Sequence, residues 1–528
     1  MATDDDPPRD EAVLDPWGSG TVEDYRELFD RFGIEAFAEI RDDVPDAHHL
    51  MRRGAIFGHR EYERVLRAMA GDEPFAALSG FMPTGEPHIG HMMVFQELVW
   101  HQRQGGSVYG LVADLEAHSA RGMSWAAIDR YARDYVLSFL AAGFDPEVGT
   151  LYRQSSNREV QDLAFELGIE ANFSELQAIY GFDGETDVSH MQSVVTQAAD
   201  ILYPQFCEKP MPTVIPVGPD QDPHVRLTRD LAARTRFFGV TEAYASFELD
   251  DEERPIVAEA YDRLLELLPD PADVRCVDAA RLLDEGSESV DPNDRDLDSI
   301  PVSAGTVPKP EREAINKLYN AGKEPLHPRT RIFVRKAPDA AFEALLEAVP
   351  GEKRVFDAHV DCFDLDPTAA RDLAREVELA HGGFGFEAPS SVYHQFMTGL
   401  TGGKMSSSVP ASHISLLDDP DDAADKVEAA TTGGRETAEL QRELGGRADE
   451  CPVYELYAYL LAGDDDELAE TVYDECVGGE RLCGPCKAQA ADLMREFLEE
   501  HQAGREAWAD RLDELDIGFE SDRPGRRP

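Results

Sequence analysis

Lysine is scarce. Nine lysines stand in 528 residues, and arginine supplies the rest of the 50 basic side chains against 105 acids, a net charge of −55. A soluble chain this acidic repels itself in dilute buffer. In molar salt the Debye length falls to ~3 Å and that repulsion largely vanishes. The chain therefore reads as a protein of a very salty cytoplasm. An acidic protein made for one basic partner fits less well, because the acid is spread along the whole chain rather than gathered in a tail. Cysteine is also sparse, seven residues in all, which excludes a disulfide scaffold and suits a reducing cytosol. No apolar run approaches the ~18 residues of a bilayer span, so no membrane is expected. The first residues, MATDDDPPRDEAVLDPWGSG, lack an apolar signal core, so secretion is not expected. What is present is 42% apolar and 29% charged residues, too apolar for a disordered chain. At ~150 residues each, the length suits roughly three or four domains.

Along the chain, residues 1–74 form an acidic region with no readable motif. FAALS (75–79) is an apolar run ending in a glycine-bearing loop, GFMPTGEP. HIGHMMVFQELVWHQRQ then has helical periodicity. SVYGLVADLEA (107–117) reads as a buried strand, 125–145 as a helix and TLYRQSS (150–156) as a strand. Residues 190–207 read as a helix, PTVIPVG (212–218) as a strand and 224–239 as a helix. This alternation predicts a Rossmann-type parallel α/β sheet over 75–240. Residues 241–387 form an insertion, a linker (287–310) followed by a small α/β unit (331–383). Residues 388–415 return to the Rossmann-type domain and are loop-rich. From 416 to 528 the pattern is all-helical.

Two motifs carry chemistry. His88-Ile89-Gly90-His91 follows strand and loop directly. A helix starting there would aim free backbone N–H groups and its positive dipole end at an anion. Two histidines at i and i+3 share a face and could both donate to phosphate oxygens. Gly90 leaves space for a flat ring. A lone HxxH is weak, but the strand–loop–helix setting strengthens it. Some 300 residues on, Gly402-Gly403-Lys404-Met405-Ser406-Ser407-Ser408 combines glycines, one cation and hydroxyls, which suits a loop that grips phosphate.

Together HIGH and KMSSS resemble the two signatures of class I aminoacyl-tRNA synthetases. Ser407 stands where the family's second lysine usually lies, so Lys404 would carry the cationic role alone. PVGPDQDPHVRLTRD (216–230) is similar to the tryptophanyl-tRNA synthetases of archaea and eukaryotes. The resemblance covers roughly 74–240 and 388–515. It implies ATP and Mg²⁺, a tryptophanyl-adenylate intermediate, tRNA(Trp) as acceptor and a homodimer. His88, His91 and Lys404 would be catalytic. Gly80, Gly90, Asp220, Met405, Ser406 and Ser408 would bind ATP. Gln197, Asp200, Gln221 and Glu116 would bind tryptophan. Indole offers one donor and no acceptor, so an acceptor in an apolar pocket can select it. A pocket for tyrosine would show a tyrosine–aspartate pair, and no tyrosine can be placed beside Asp200. Leu78 departs from the tyrosine the family often has there.

Cys451, Cys476, Cys483 and Cys486 read C-x24-C-x6-C-x2-C. Four thiolates suit Zn²⁺ or a [4Fe–4S] cluster, and the spacing resembles a cluster site in some tryptophanyl-tRNA synthetases. Cys207, Cys276 and Cys362 read as core residues. The rival readings are a tyrosine–tRNA ligase, a small nucleotidyltransferase with an HxGH helix start, and a synthetase paralogue that only binds RNA or protein.

Overall fold

The computed structural model describes residues 29, 32–243, 329–403, 405, 409–515 and 517–518. Lys404, Ser406, Ser408 and Cys276 lie outside the described residues. The described chain falls into two compact units, residues 1–235 with 386–528, and residues 236–385.

The first unit opens with β1 (Glu35–Ala36), β2 (Ile56–Arg60) and α1 (Glu63–Ala70). Then follow β3 (Ala76–Phe81), α2 (Ile89–Arg103), β4 (Ser107–Val112), α3 (Asp114–Arg121), α4 (Trp125–Ala141) and β5 (Thr150–Arg153). Next come α5 (Arg158–Gly168), α6 (Phe173–Tyr180), α7 (Val188–Cys207), β6 (Thr213–Val217) and α8 (Asp222–Thr235). The second unit holds β7 (Phe238–Ala243), β8 (Arg329–Val334), α9 (Asp339–Ala348), β9 (Lys353–Val355), β10 (His359–Cys362) and α10 (Pro367–Ala380). The chain re-enters the first unit with β11 (Ser390–His394). It ends in helices α11 (Pro420–Ala429), α12 (Ala438–Leu444), α13 (Pro452–Leu456), α14 (Asp466–Val477) and α15 (Cys483–Ala509).

The main sheet runs β1-β2-β11-β6-β3-β4-β5. Its five strands from β11 to β5 are parallel, while β1 and β2 are antiparallel additions at one edge. Strand order reverses between β3 and β6, so the loops after these strands open on one crevice, where ligands sit in open α/β sheets. Buried aromatics fix α2 and α4 on the sheet. The rings of Phe81 and Phe95 lie edge to face at 4.7 Å, and Phe95 stacks on Phe139 at 5.2 Å. Gly110 of β4 allows this approach, since a Cβ there would lie 2.5 Å from the Phe139 ring.

Several segments differ from the sequence expectation. The strand read at 107–117 stops at Val112, and Asp114 to Arg121 is helical. Buried Asp114 accepts from the Ser155 amide (2.9 Å) and pairs with buried Arg153, which turns the chain out of the sheet. The loop-rich 391–417 segment begins as a central strand, β11, paired with both β2 and β6. Residues 56–60 of the motif-free N-terminal region supply β2. The C-terminal helices belong to the same compact unit as the sheet. Arg505 of α15 pairs with Asp134 of α4 at 2.9 Å. The second unit is a four-stranded antiparallel sheet, β7-β8-β10-β9, whose core includes Phe238, Ile332, Leu345, Val360 and Val377.

Candidate active site and thiol chamber

The β3 loop delivers His88 as the N-cap of α2. The His88 Nδ1 accepts from the Gly90 amide, and the His88 amide donates to His91 Nδ1, each at 3.1 Å. Both Nδ1 atoms are thus acceptors, which puts the ring hydrogens on the two Nε2 atoms. Burial, and then the neighbouring histidines, hold the His88 imidazole well below its usual pKa. Burial brings His91 down to about 4. Both rings are neutral N–H donors at pH 7, not cations. His91 Nε2 lies 3.1 Å from the Tyr135 hydroxyl of α4.

The helix start itself offers less than the sequence suggests. The Ile89 amide bonds Ile414 O (3.1 Å), the Gly90 amide bonds the His88 ring, and the His91 amide bonds His88 O (2.8 Å). These amides are taken within the protein, so an anion here would meet imidazole N–H groups rather than bare backbone.

The Ile89–Ile414 bond has a second consequence. Residues 413–416 run beside His88, with Leu416 N on Pro87 O at 2.9 Å, and the His413 ring is 5.5 Å from that of His88. Met405 is buried, and a Cβ on Gly90 would sit 3.9 Å from its sulfur and 3.0 Å from the His88 ring. The two signature segments therefore meet at the crevice. Gly80 lies exposed near the end of β3, and Asp220 and Gln221 occupy a 3-10 turn after β6.

On α7, Gln197 donates to Gln221 Oε1 at 3.4 Å, and its own Oε1 is buried with no hydrogen-bond partner. One turn on, Asp200 is fully buried and accepts from the Tyr152 hydroxyl (2.8 Å) and from Gln154 Nε2 (2.6 Å). Burial pushes the Asp200 carboxyl up to about 7, against the pull of those two donors; Glu116 adds to the rise. Glu116 itself is buried in the first turn of α3. A tyrosine does stand beside Asp200, contrary to the sequence expectation. Tyr152, Gln154 and Tyr135 were not singled out by sequence. Their one local signal is position, Tyr152 and Gln154 lying at the C-terminal end of a parallel strand.

Cys451, Cys476, Cys483 and Cys486 line one hollow with Thr432, Gly433 and Gly434. Glycine makes room for the sulfurs, since a Cβ at Gly434 would lie 2.5 Å from Cys483 Sγ and one at Gly446 2.6 Å from Cys476 Sγ. No three of the four sulfurs fall within 4.8 Å of one another; among the described residues only Glu35, His59 and Glu63 form such a trio. Tetrahedral Zn–S bonds of ~2.3 Å would bring thiolates to about 3.8 Å. A cubane, with a separate iron behind each thiolate, holds them further apart. As placed, no three of the sulfurs are close enough to share one tetrahedral ion. Cys362 is buried in the second unit, whereas Cys207 is exposed rather than a core residue.

A parallel sheet that presents HIGH, with Met405 beside it, at its switch point has the layout of a class I synthetase catalytic fold. The family described as tRNA synthetases class I (W and Y) matches residues 69–245 and 367–499. The chain is 65% identical over 521 residues to tryptophan–tRNA ligase 1 of Halobacterium salinarum, covering 99% of each. It is 41% identical over 508 residues to the tryptophan–tRNA ligase of Methanosarcina acetivorans, covering 96% of this chain and 98% of that one. The crystal structure of tryptophanyl-tRNA synthetase from Aeropyrum pernix K1 aligns with a TM-score of 0.60 at 29% identity, over 95% of this chain and 98% of that one. The chain belongs to the tryptophan and tyrosine family of class I tRNA synthetases.

Proposed function

We propose that the chain joins tryptophan to tRNA(Trp) through tryptophanyl-adenylate, with MgATP as substrate. The observation that carries this reading is the meeting of residues 88–91 with 405 and 413–416 at the switch point of the sheet. The tryptophan carboxylate oxygen attacks the α-phosphorus, and the bond from that phosphorus to the pyrophosphate oxygen breaks. A terminal ribose hydroxyl of the tRNA then attacks the acyl carbon and AMP leaves. The first nucleophile is already ionised, so the site supplies position and charge stabilisation rather than a base. His88 donates Nε2–H to the α-phosphate, and His91 does the same once its Nε2–H turns from the Tyr135 hydroxyl that it meets at 3.1 Å. Lys404, with Ser406 and Ser408, holds the pyrophosphate. Gly80, Gly90, Asp220 and Met405 line the ATP side.

Gln197, Gln221, Asp200 and Glu116 form the amino-acid side. The Tyr152–Asp200 pair also favours a second reading, tyrosine. Against it, the Tyr152 hydroxyl already gives its hydrogen to Asp200. What remains for a ligand is acceptor capacity, on Asp200 and on the buried Gln154 Oε1 and Gln197 Oε1. That suits a lone indole donor. ATP–pyrophosphate exchange in molar KCl with each amino acid in turn tests the reading; a better rate with tyrosine overturns it.

Two further parts belong to this proposal. Cys451, Cys476, Cys483 and Cys486 would hold a [4Fe–4S] cluster, which would cross-link three segments of the helical region, since Cys483 and Cys486 share α15. The working form is a homodimer, supported by the exposed apolar side chains of Phe165 (73%), Ile169 (75%) and Val188 (79%) around α5 and α7. Light scattering in molar KCl checks it. The proposed site of action is the cytoplasm, where translation takes place; no helix among the described residues is long and apolar enough to cross a membrane.

A further inference from the structure

The base of the 402–408 loop is gripped from two sides. Thr398, six residues before Lys404, donates its amide to Glu455 Oε2 at 2.7 Å and its hydroxyl to Glu455 Oε1 at 2.6 Å. One carboxylate thus fixes both the backbone and the side chain of one residue, through charge-assisted bonds. Glu455 lies on α13, whose N-cap is Cys451, and the Glu455 amide donates to Cys451 O at 3.0 Å. A single helical turn separates the carboxylate from the first thiol of the chamber. The second grip is on Leu400. Its carbonyl accepts from the amide (2.8 Å) and the hydroxyl (3.1 Å) of Thr431. Thr431 directly precedes Thr432, Gly433 and Gly434 of the chamber wall. Between these grips the loop base closes on itself, with Met405 N on Met397 O at 3.2 Å and Leu400 N on Ser412 O at 3.0 Å.

We propose that Glu455 is a positioning residue that ties the base of the 402–408 loop to the four-thiol chamber, so that the ATP-dependent half of the reaction reads whether the chamber is assembled. The warrant is a continuous path, by hydrogen bonds from Cys451 to Glu455 to Thr398, and along the backbone from Gly434 to Thr431 and then by hydrogen bond to Leu400, with no gap that solvent must bridge. The inference rests on the proposed role of the loop in adenylate formation. It adds a coupling between two sites that sequence reasoning treats as separate.

The test uses full-length protein in molar KCl and two readouts, amide hydrogen exchange of residues 397–403 and the constants for pyrophosphate exchange. Glu455→Gln removes one of the two acceptor oxygens. It should speed amide exchange in 397–403 and raise the ATP KM about tenfold, the loss expected for one charge-assisted bond, with tryptophan affinity unchanged. Thr398→Val should do the same more mildly, and Thr398→Ser, which keeps both donors, should match the unaltered protein. Cys451→Ser should speed exchange in 397–403 by a similar factor. Combined with Glu455→Gln it should add nothing, because both act along one path. The proposal is overturned if Glu455→Gln leaves 397–403 and the ATP KM unchanged. It is also overturned if tryptophan affinity weakens in step with the ATP KM, or if the two substitutions simply add. Should Glu455→Gln fail to fold, Thr398→Val against Thr398→Ser decides alone. If no amino acid supports pyrophosphate exchange, the functional reading falls, while amide exchange still decides the coupling.

Discussion

Replacing Asp200 by asparagine tests the amino-acid site at its most perturbed group. The carboxyl is fully buried, and burial lifts it from 3.8 to about 7. A rise of about three units means that ionised Asp200 costs the fold on the order of 4 kcal/mol. The sign follows from proton counting. Between pH 3.8 and about 7 the folded chain holds a proton that the unfolded chain has lost. This group's contribution therefore falls as pH rises through that window. A cost of that size at neutral pH makes sense if the ionised form is used. An indole N–H bonded to the carboxylate would favour ionisation, so tryptophan binding should release a proton. Below about pH 7 the tryptophan KM should then climb, approaching tenfold per pH unit. Asp200→Asn removes the titration and turns an NH₂ toward Tyr152 or Gln154, each of which now donates to Asp200. One unmet donor costs ~1–3 kcal/mol, roughly one to two orders of magnitude in tryptophan KM. The assay is pyrophosphate exchange from pH 5.5 to 8 in molar KCl, with tyrosine as competitor substrate. A flat tryptophan KM in the unaltered protein, or an asparagine variant with an ordinary KM, would refute the reasoning.

Four other outcomes are expected. Lys404→Ala should slow pyrophosphate exchange ~100-fold while tryptophan affinity, read by fluorescence, stays put. The lowered imidazoles of His88 and His91 add stability that is present above pH 6.5 and lost as pH falls toward 4; melting curves should show it, and His91→Gln should flatten that slope. Cys486→Ser should lose the metal centre on anaerobic purification, read as iron and sulfide per chain; equal metal content in both proteins sinks the ligand set. Dilution from molar KCl into low-salt buffer should unfold the chain reversibly, followed by circular dichroism, because −55 charges then repel unscreened.

The parallel core was legible because its signals are local. FAALS followed by a glycine loop and a 3.6-residue pattern is enough to place β3 and α2. Strand β11 was not, since SSVYH shows no alternation and becomes a strand only through partners hundreds of residues away, β2 and β6. Helices α5 and α6 went unread although each starts on an asparagine cap, Asn157 bonding the Val160 amide and Asn172 the Glu175 amide. The site divides in the same way. His88 and His91 share one helical turn, so spacing reveals them. Tyr135, Tyr152 and Gln154 reach their partners from separate elements, and no spacing rule connects Tyr152 with Asp200, 48 residues on. The hidden Tyr152 also explains why the absence of a tyrosine was the weakest argument for tryptophan.

The charge distribution bears on how such a chain could hold an RNA. Several arginines, the favoured base, are committed inward. Arg153 is fully buried between Asp114 at 2.9 Å and Asp129 at 2.5 Å. Arg60 reaches buried Asp222 at 2.8 Å, and Arg229 reaches Glu61 at 2.5 Å. Screening by molar salt acts on exposed charges and hardly touches pairs from which solvent is excluded, so these pairs keep their strength where surface pairs lose it. The acids left outside become tolerable in the same salt. Attraction to tRNA phosphates, however, draws on counterion release and weakens steeply as salt rises. A surface of positive charge would gain little in brine. Recognition must then come from interactions that salt spares, stacking, base edges and fit to the shape of the RNA. That places the burden on the rigidity of the helical region, where the proposed four-thiol centre would hold segments together without any help from surface charge.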